Sequence, residues 1–242
     1  LMISGALTDI KYQSFSHHIV YRSKARVQAE SSRVSSNQQH THPGLPALLR
    51  RHLETHWRKP VAAFNRQAFE QIAAALALTP RPLVLDSFCG TGLSTAQLAR
   101  LYPDHLVIGI DQSAQRLARH SRTGGDNYLL LRAECEPLWL LMAEAGLTVN
   151  RHYLLYPNPW PKSTHLKRRI HGHPAFPLLL ALQGKIELRT NWQIYAEEFG
   201  LALHLAGVRG RVSQFAAGQR PFTLFEQKYR DSGHTLWRYQ GN

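Results

Sequence analysis

The stretch Leu83-Val84-Leu85-Asp86-Ser87-Phe88-Cys89-Gly90-Thr91-Gly92 decides the fold class of this chain. Its apolar start, residues 83–85, lies between a proline and a loop that contains glycines, which predicts a short buried strand. A helix is predicted to follow at residues 94–101, with Ser94 or Thr95 near its N-cap. A buried strand that turns through glycines into a helix is the first unit of a parallel sheet.

The same alternation of apolar strands and helical patterns continues along the chain. Strands are predicted at residues 106–110, 128–131, 153–156 and 185–190, and helices at residues 45–78 (divided by Pro60), 113–120, 138–145, 176–182 and 192–201. Residues 203–205 and 235–239 are predicted to form an antiparallel pair at the end of the chain. Together these elements indicate an α/β domain whose mostly parallel sheet is covered by helices on both faces.

Composition divides the chain into two parts. Residues 1–44 are rich in Ser, Gln, His and Arg without a sustained period, which predicts a basic, flexible arm. Residues 45–242 are predicted to form one domain.

The net charge of the chain is strongly positive. The chain has 29 Lys and Arg against 16 Asp and Glu, a formal net charge of +13. This charge favours a polyanionic partner over the alternative of an ordinary basic surface.

Several other classes of function are not expected. No apolar run approaches the roughly 18 residues that cross a bilayer, and no signal peptide is evident, so no membrane partner is predicted. The two cysteines and the histidine pairs at 40/42 and 171/173 lack the spacing of a metal site, so no metal is predicted. We expect a cytoplasmic protein, since two cysteines fit a reducing compartment, and a monomer or weak dimer.

Polar side chains follow successive predicted strands directly. In parallel sheets, ligands bind outside the carboxyl ends of the strands, where such side chains meet. The residues in question are Asp86, Asp111, Glu134, Asn158 and Asn191. The pattern therefore predicts a ligand site at this edge of the sheet.

The glycine loop and the acids near it favour an adenosine ligand. Gly90 and Gly92 allow the backbone to approach a ligand closely, although a plain tight turn has the same pattern. Asp111 ends the second strand about 20 residues later, where a carboxylate can accept hydrogen bonds from ribose hydroxyls. Asp86, at the end of the first strand, can meet an ammonium group or water.

The loop lacks a feature of dinucleotide sites. Thr95 stands where the third glycine of such a loop is expected, so an adenosine ligand without a pyrophosphate fits better. S-adenosylmethionine is such a ligand. Glu134 is predicted to receive the adenine amino group, with a solvated loop carboxylate as the alternative.

A second motif is the segment Tyr156-Pro157-Asn158-Pro159-Trp160-Pro161-Lys162-Ser163-Thr164-His165-Leu166-Lys167-Arg168-Arg169. Its prolines predict a stiff loop that holds Asn158 and Trp160 in place. A planar amide beside a large aromatic ring suits a nucleobase. The side chains expected to contact phosphates, unless they form only a solvated face, are those of Lys162, His165, Lys167, Arg168 and Arg169. Trp160 and Trp192 either stack on a base or cap the core, and Trp192 fits the core better.

These motifs together resemble the bacterial tRNA (guanine-N7-)-methyltransferases over about residues 45–237. The segments that carry the resemblance are 86–92, 109–111, 133–134, 157–162, 165–169, 190–192 and 223–226. The resemblance implies a Rossmann-like seven-stranded, mostly parallel sheet with helices on both faces and an antiparallel C-terminal hairpin. It also implies S-adenosylmethionine as methyl donor and N7 of a guanosine in tRNA as acceptor.

The resemblance further assigns roles by position. Asn158 is implied as the catalytic loop residue. The implied donor-site residues are Asp86, Gly90, Gly92, Asp111, Glu134 and Asn158. The implied tRNA-binding residues are Lys162, Thr164, His165, Lys167, Arg168, Arg169, Asn191, Thr223 and Glu226.

Three residues depart from the family pattern. The family usually has Asp where this chain has Asn158 and Asn191, and glycine where it has Phe88, which narrows the space near the methionine part of the donor. Guanine N7 needs no general base, but the purine becomes cationic during methyl transfer, and a nearby carboxylate would stabilise that charge. Glu226, predicted on the final hairpin, remains as a carboxylate for the guanine edge, unless it is a surface acid.

Two other functions stay open. The motifs 86–92 and 158–160 also resemble those of amino-methyltransferases, which methylate exocyclic nitrogens and use an Asn side chain to accept from the attacking amine. That motif normally has two prolines before the aromatic residue, and only Pro159 is present here. The other alternative is a catalytically weak RNA-binding relative.

Overall fold

The computed structural model describes residues 31–121, 125–219 and 221–242. Within these residues seven strands form one sheet in the order β3-β2-β1-β4-β5-β7-β6. Strands β1 to β5 pair in parallel, whereas β7 is antiparallel to both β5 and β6. The strands are β1 (Leu83–Ser87), β2 (Leu106–Asp111), β3 (Tyr128–Arg132), β4 (Arg151–Leu155), β5 (Lys185–Thr190), β6 (Gly210–Phe215) and β7 (Leu236–Gly241). The expected Rossmann-like fold is confirmed.

Helices cover both faces of this sheet. They are α1 (Leu45–Leu53), α2 (Ala63–Leu78), α3 (Leu93–Leu101), α4 (Ala114–Leu117), α5 (Cys135–Glu144), α6 (Phe176–Ala181), α7 (Gln193–Leu205) and α8 (Leu224–Asp231), with short 3₁₀ helices at Ser163–Arg168 and Ile170–Gly172. Among the described helices, none is long and apolar enough to cross a membrane.

The central strands are buried on both sides, as their continuous apolar runs predict. Successive side chains of a strand point to opposite faces, so Leu85 and its neighbour Val84 belong to different core clusters. One cluster joins the sheet to α2, α5, α6 and α7, and the other joins it to α3. Trp192 lies in the first cluster, which confirms its prediction as a core residue.

The prediction for the end of the chain is partly wrong. Residues 203–205 form the last turn of α7 and not a strand, and β7 pairs in antiparallel fashion with β5 and β6. Strand β6 lies at the edge of the sheet and is largely exposed, so its sequence has no apolar run that would reveal it. The segment predicted as a hairpin around Glu226 is helix α8.

The predicted basic arm lies mostly on residues 1–30, outside the described residues. Residues 31–44 are in contact with the domain. The Ser31 amide donates to Ser232 Oγ at 3.0 Å, and Ser36 Oγ donates to the carbonyl of Pro161 at 2.6 Å. The described part of the arm is therefore tied to the domain by hydrogen bonds.

Gly109 allows α3 to lie close to the centre of the sheet. It pairs with Asp86 across β1 and β2. A Cβ at this position would overlap the hydroxyl of Thr95 and would lie 2.7 Å from Leu130 Cδ2. Because the same hydroxyl donates to Asp86, any side chain here would push the start of α3 away from β1.

We predict that Gly109→Ala destabilises the fold by about 1–3 kcal/mol, since overpacking a close-packed site forces its neighbours apart. The measurement is the free energy of unfolding in urea. Gly218→Ala is the control, because a Cβ there meets nothing within 4 Å, and its effect should stay below about 0.5 kcal/mol. Equal stability of the two variants would contradict this account of Gly109.

Candidate active site

A cleft of about 560 Å³ opens at the carboxyl ends of β1, β2 and β4. It brings together residues from five separate segments that the sequence predicted as one site. The predicted site residues that line it are Gly90, Asp111, Glu134, Asn158, Arg168 and Thr223. Of the described residues, the other predicted ones lie behind or beside the cleft.

The glycine loop forms one wall. Gly90 has a φ of 63°, in the left-handed region that favours glycine, and a Cβ there would meet nothing within 4 Å. The open side of Gly90 is therefore free for a ligand to approach. Gly92, with a φ of 75°, is the N-cap of α3 and packs against the Leu130 side chain, so its role is structural.

Phe88 holds a backbone conformation that a bulky residue rarely adopts. Its φ is also 63°, which costs about 1–2 kcal/mol for a residue with a Cβ. The ring meets Trp139 edge to face at 6.0 Å between centroids and lines the cleft. Phe88 therefore keeps the left-handed geometry of a glycine while its side chain occupies part of the wall.

Asp86 lies just behind the loop and is fully buried. Its Oδ2 accepts hydrogen bonds from Ser94 Oγ at 2.7 Å and Thr95 Oγ1 at 2.6 Å. Its Oδ1 has no partner among the described residues. Burial raises the pKa of this carboxyl to about 6. Asp86 thus fixes the start of α3, and its second oxygen is buried without a partner behind the glycine loop.

Asp111 connects the end of β2 to the glycine loop. Its Oδ2 accepts from the Gly90 amide at 3.0 Å, and its Oδ1 accepts from the Ser113 amide at 2.8 Å. Arg116 forms an ion pair with it at 3.2 Å. A carboxylate has about four acceptor positions, of which three are occupied here, so Asp111 can hold the loop and still receive one ribose hydroxyl.

Glu134 already has partners in the structure. Its Oε1 pairs with Lys59 at 2.7 Å, and its Oε2 accepts from Asn65 Nδ2 at 3.3 Å. The hydrogen bond from Lys59 lowers the pKa of this carboxyl. Because Lys59 is half exposed, the ion pair is weak, and an incoming amino group can compete with it.

The proline loop forms the opposite wall. Asn158 is exposed, and its Oδ1 lies 3.5 Å from the Trp160 amide. The Arg168 guanidinium lies 4.8 Å from the centroid of the Trp160 ring, and the His165 ring meets Trp160 in a T-shaped contact with 5.6 Å between centroids. These contacts hold the tryptophan in place by cation–π and edge-to-face interactions.

Among the predicted phosphate ligands, Arg169 requires a correction. Its side chain is fully buried and donates to the Trp160 carbonyl at 3.2 Å, to Gln38 Oε1 at 3.0 Å and to Glu198. It is therefore not available to an RNA phosphate in this structure. The neighbouring cations on the surface are Lys162, Lys167 and Arg168, and Thr164 is exposed among them.

Glu226 also differs from its prediction. It is buried, and it accepts from the Tyr156 hydroxyl at 3.1 Å and from Arg189 Nη1 at 3.1 Å. The Thr223 hydroxyl caps α8 by accepting from the Glu226 amide at 2.9 Å. Glu226 therefore stabilises the start of α8, and the guanine edge would need another partner.

The geometry can be compared with known proteins. Residues 80–239 match a family model described as a putative methyltransferase. The chain is 30% identical over 193 residues to the tRNA (guanine-N(7)-)-methyltransferase of Nitrosococcus oceani, which covers 73% of this chain and 72% of that protein. The enzyme of that name from Chromohalobacter salexigens is 31% identical over 191 residues, covering 72% and 75%. The chain belongs to this methyltransferase family.

Solved structures agree on the fold of this methyltransferase domain. The 16S rRNA methyltransferase KamB has a TM-score of 0.52 and 18% identity, covering 76% of this chain and 94% of that chain. An antibiotic-related methyltransferase has a TM-score of 0.51 and 16% identity, covering 72% and 93%. At these identities the likeness concerns the fold alone.

The three residues that the sequence analysis expected to depart from the family pattern lie in different places. Phe88 and Asn158 both line the cleft. Asn191 lies beside it, and its Nδ2 contacts His234 Nδ1 at 3.1 Å. Of the three, only Phe88 and Asn158 are therefore in position to act directly on a ligand in the cleft.

The segment 223–226, which the resemblance assigns to the substrate, brings two apolar residues to the cleft. Leu224 and Phe225, at the start of α8, are 57% and 52% exposed although they are apolar, and both line the cleft. Arg116 and Arg119 line it near Asp111. The sequence interpretation missed these two arginines, although they follow shortly after the acid that ends β2.

We predict that substitution by alanine destabilises the fold at Arg169 far more than at the adjacent Arg168. Arg169→Ala leaves the buried Glu198 carboxylate without its cation and should destabilise the fold by about 3–5 kcal/mol. Arg168→Ala removes an exposed side chain and should change stability by less than about 1 kcal/mol. Urea unfolding of both variants measures this, and similar losses would refute the structural role of Arg169.

Proposed function

We propose that this protein transfers a methyl group from S-adenosylmethionine to N7 of a guanosine in tRNA. The observation that carries the proposal is the cleft, in which the glycine loop and Asp111 face the proline loop with Asn158 and Trp160. The relatives named as tRNA (guanine-N(7)-)-methyltransferases support the choice of acceptor. In such a reaction the wall formed by the glycine loop would bind the methyl donor, and the wall formed by the proline loop would bind the guanosine.

The glycine-loop wall suits the donor. Gly90 leaves open space beside its backbone, and Asp86 Oδ1 is a buried oxygen that lacks a partner among the described residues. These features fit a ligand that has both an ammonium group and a ribose. Asp111 would hold a ribose hydroxyl, and Glu134 would receive the adenine amino group in exchange for Lys59. The donor supplies an electrophilic methyl group on a sulfonium.

The proline-loop wall suits the acceptor. Guanine N7 has a lone pair in the ring plane, so the protein has only to align N7 with the methyl group and stabilise the cationic purine. The Asn158 amide oxygen supplies a partial negative charge at this wall. The half-exposed ring of Phe225 and the ring of Trp160 both line the cleft, and either can stack on a base.

The surface beside this wall suits tRNA. Lys162, Lys167 and Arg168 are exposed next to the loop, and cations there can contact the phosphates on either side of the guanosine. An acceptor tRNA would place the activity in the cytoplasm. The monomer or weak dimer remains a prediction from the sequence.

The proposal is tested by incubating the protein with tRNA and S-adenosylmethionine and analysing the nucleosides by mass spectrometry. We expect 7-methylguanosine. A methyl group on an exocyclic nitrogen would favour the amino-methyltransferase alternative. A calorimetric titration that shows no donor binding would favour the non-catalytic alternative.

The charge of the loop gives a sharper prediction. Asn158→Asp should raise the rate of N7 methylation by on the order of 10- to 10²-fold, because a carboxylate stabilises the purine cation better than a neutral amide. Asn150→Asp, at the opposite end of β4, is the control for the added charge. A rate that is unchanged or lower in Asn158→Asp, measured under single-turnover conditions, would contradict the electrostatic account.

The exposed cations give a prediction for binding. Lys167→Ala combined with Arg168→Ala should weaken tRNA binding and lower the slope of log K against log salt by about 1 for each phosphate that the protein no longer neutralises. Lys185→Ala combined with Arg211→Ala removes the same charge from exposed residues that line a different pocket. In this control pair the salt slope, measured by fluorescence anisotropy, should stay unchanged. Equal slopes in the two double variants would show that the surface beside the proline loop does not bind tRNA phosphates.

A further inference from the structure

A buried polar network lies directly behind the proline loop. Its centre is the Glu198 carboxylate of α7, which is fully buried. Oε1 accepts from Gln38 Nε2 at 2.5 Å and from the His42 amide at 2.8 Å. Oε2 contacts Arg169 Nη1 and lies 2.8 Å from His171 Nε2. One carboxylate thus joins α7, the segment 31–44 and the segment that follows the proline loop.

The same network reaches the backbone of the loop. Arg169 Nε donates to the Trp160 carbonyl at 3.2 Å, and its Nη2 donates to the Lys162 carbonyl at 3.3 Å. Ser36 Oγ donates to the carbonyl between them, that of Pro161, at 2.6 Å. Three consecutive carbonyls of the loop are therefore held by side chains, two by Arg169 and one by Ser36.

These bonds have a geometric effect on the cleft wall. Trp160 has a φ of 44°, a conformation that persists only when its surroundings enforce it. The bonds to residues 160–162 supply that constraint. Asn158 is two residues earlier and has no hydrogen-bond partner outside the loop among those the structure describes, so its position follows that of the loop backbone.

The burial of the network also argues for a positional role. Two charged groups removed from water are expensive, and a buried ion pair contributes little net stability compared with apolar packing of the same volume. What such a pair supplies is fixed geometry. Hydrogen bonds from His171 and Arg169 lower the pKa of Glu198 to about 2 in spite of its burial, so the carboxylate stays charged at neutral pH.

We propose that Glu198, Ser36 and Gln38 are positioning residues for the methyl transfer: through Arg169 and the Pro161 carbonyl, they hold the proline loop so that Asn158 faces the donor. This role rests on the proposed function. It assigns a task to residues 36–42, which the composition of the chain had placed in a flexible arm. These residues act on the reaction without touching either ligand.

The test uses the full chain with Ser36→Ala and Gln38→Ala combined. These changes remove the bond to Pro161 and one partner each of Arg169 and Glu198, while the Arg169–Glu198 pair stays intact. The control combines Ser213→Ala and Gln193→Ala, which remove side chains of the same types from β6 and from the exposed side of α7. Both proteins are compared by urea unfolding, by hydrogen exchange and by methylation kinetics.

We expect faster hydrogen exchange in residues 156–169 of the test variant, and kcat lowered by on the order of 10-fold with a donor KM changed less than about 2-fold. The control should match the wild type in all three measurements. Ser36→Thr keeps the hydroxyl and, alone, should retain the wild-type kcat. If the double variant unfolds, the single Ser36→Ala variant serves for the same measurements.

Unchanged exchange in residues 156–169 would overturn the proposal, and so would faster exchange with an unchanged kcat. A wild-type protein that leaves guanine N7 unmethylated would refute the proposed function and not the anchoring. In that case the exchange of the loop in the double variant still decides whether residues 36–42 hold it.

Discussion

Parallel pairing of β1 with both β2 and β4 is the constraint on which the site depends. It brings the carboxyl ends of three strands to one edge, so that the glycine loop, Asp111 and the proline loop converge although they are far apart in sequence. Gly109 allows α3 to approach this edge, and the bond from the Gly90 amide to Asp111 fixes the distance between two of the three segments. The cleft follows from backbone geometry before any side chain acts on a ligand.

Four acidic side chains of this basic protein are buried, and each of them connects separate parts of the fold. Glu198, Glu226 and Asp111 each hold a cation together with backbone amides, and Asp86 receives two hydroxyls. Their partners connect elements that are distant in the chain, because one carboxylate can accept from several donors at once. The cations that remain outside are then free to meet phosphates. The buried acids therefore support the shape of the cleft, and the exposed cations beside the proline loop suit RNA.

Much of this arrangement follows from the sequence. Buried strands have apolar runs, and their loops carry the glycines and acids, so the sheet and the walls of the cleft were predictable. Strand β6 was not, because an exposed edge strand needs no apolar residues. Neither was the difference between Arg168 and Arg169. Two adjacent residues of the same type differ because Glu198, 29 positions away, receives only the second, and such a distant contact leaves no local pattern.

Bulky residues with a left-handed backbone cluster around the cleft: Phe88, Tyr156 and Trp160 have φ values of 63°, 55° and 44°. Each such conformation lowers the stability of the folded state, and it persists because neighbouring contacts leave no alternative. Around the cleft, therefore, a defined shape is maintained at the cost of some stability of the folded state. Variants selected only for heat resistance would tend to relax these positions first, and the enzyme would lose turnover as it gained durability.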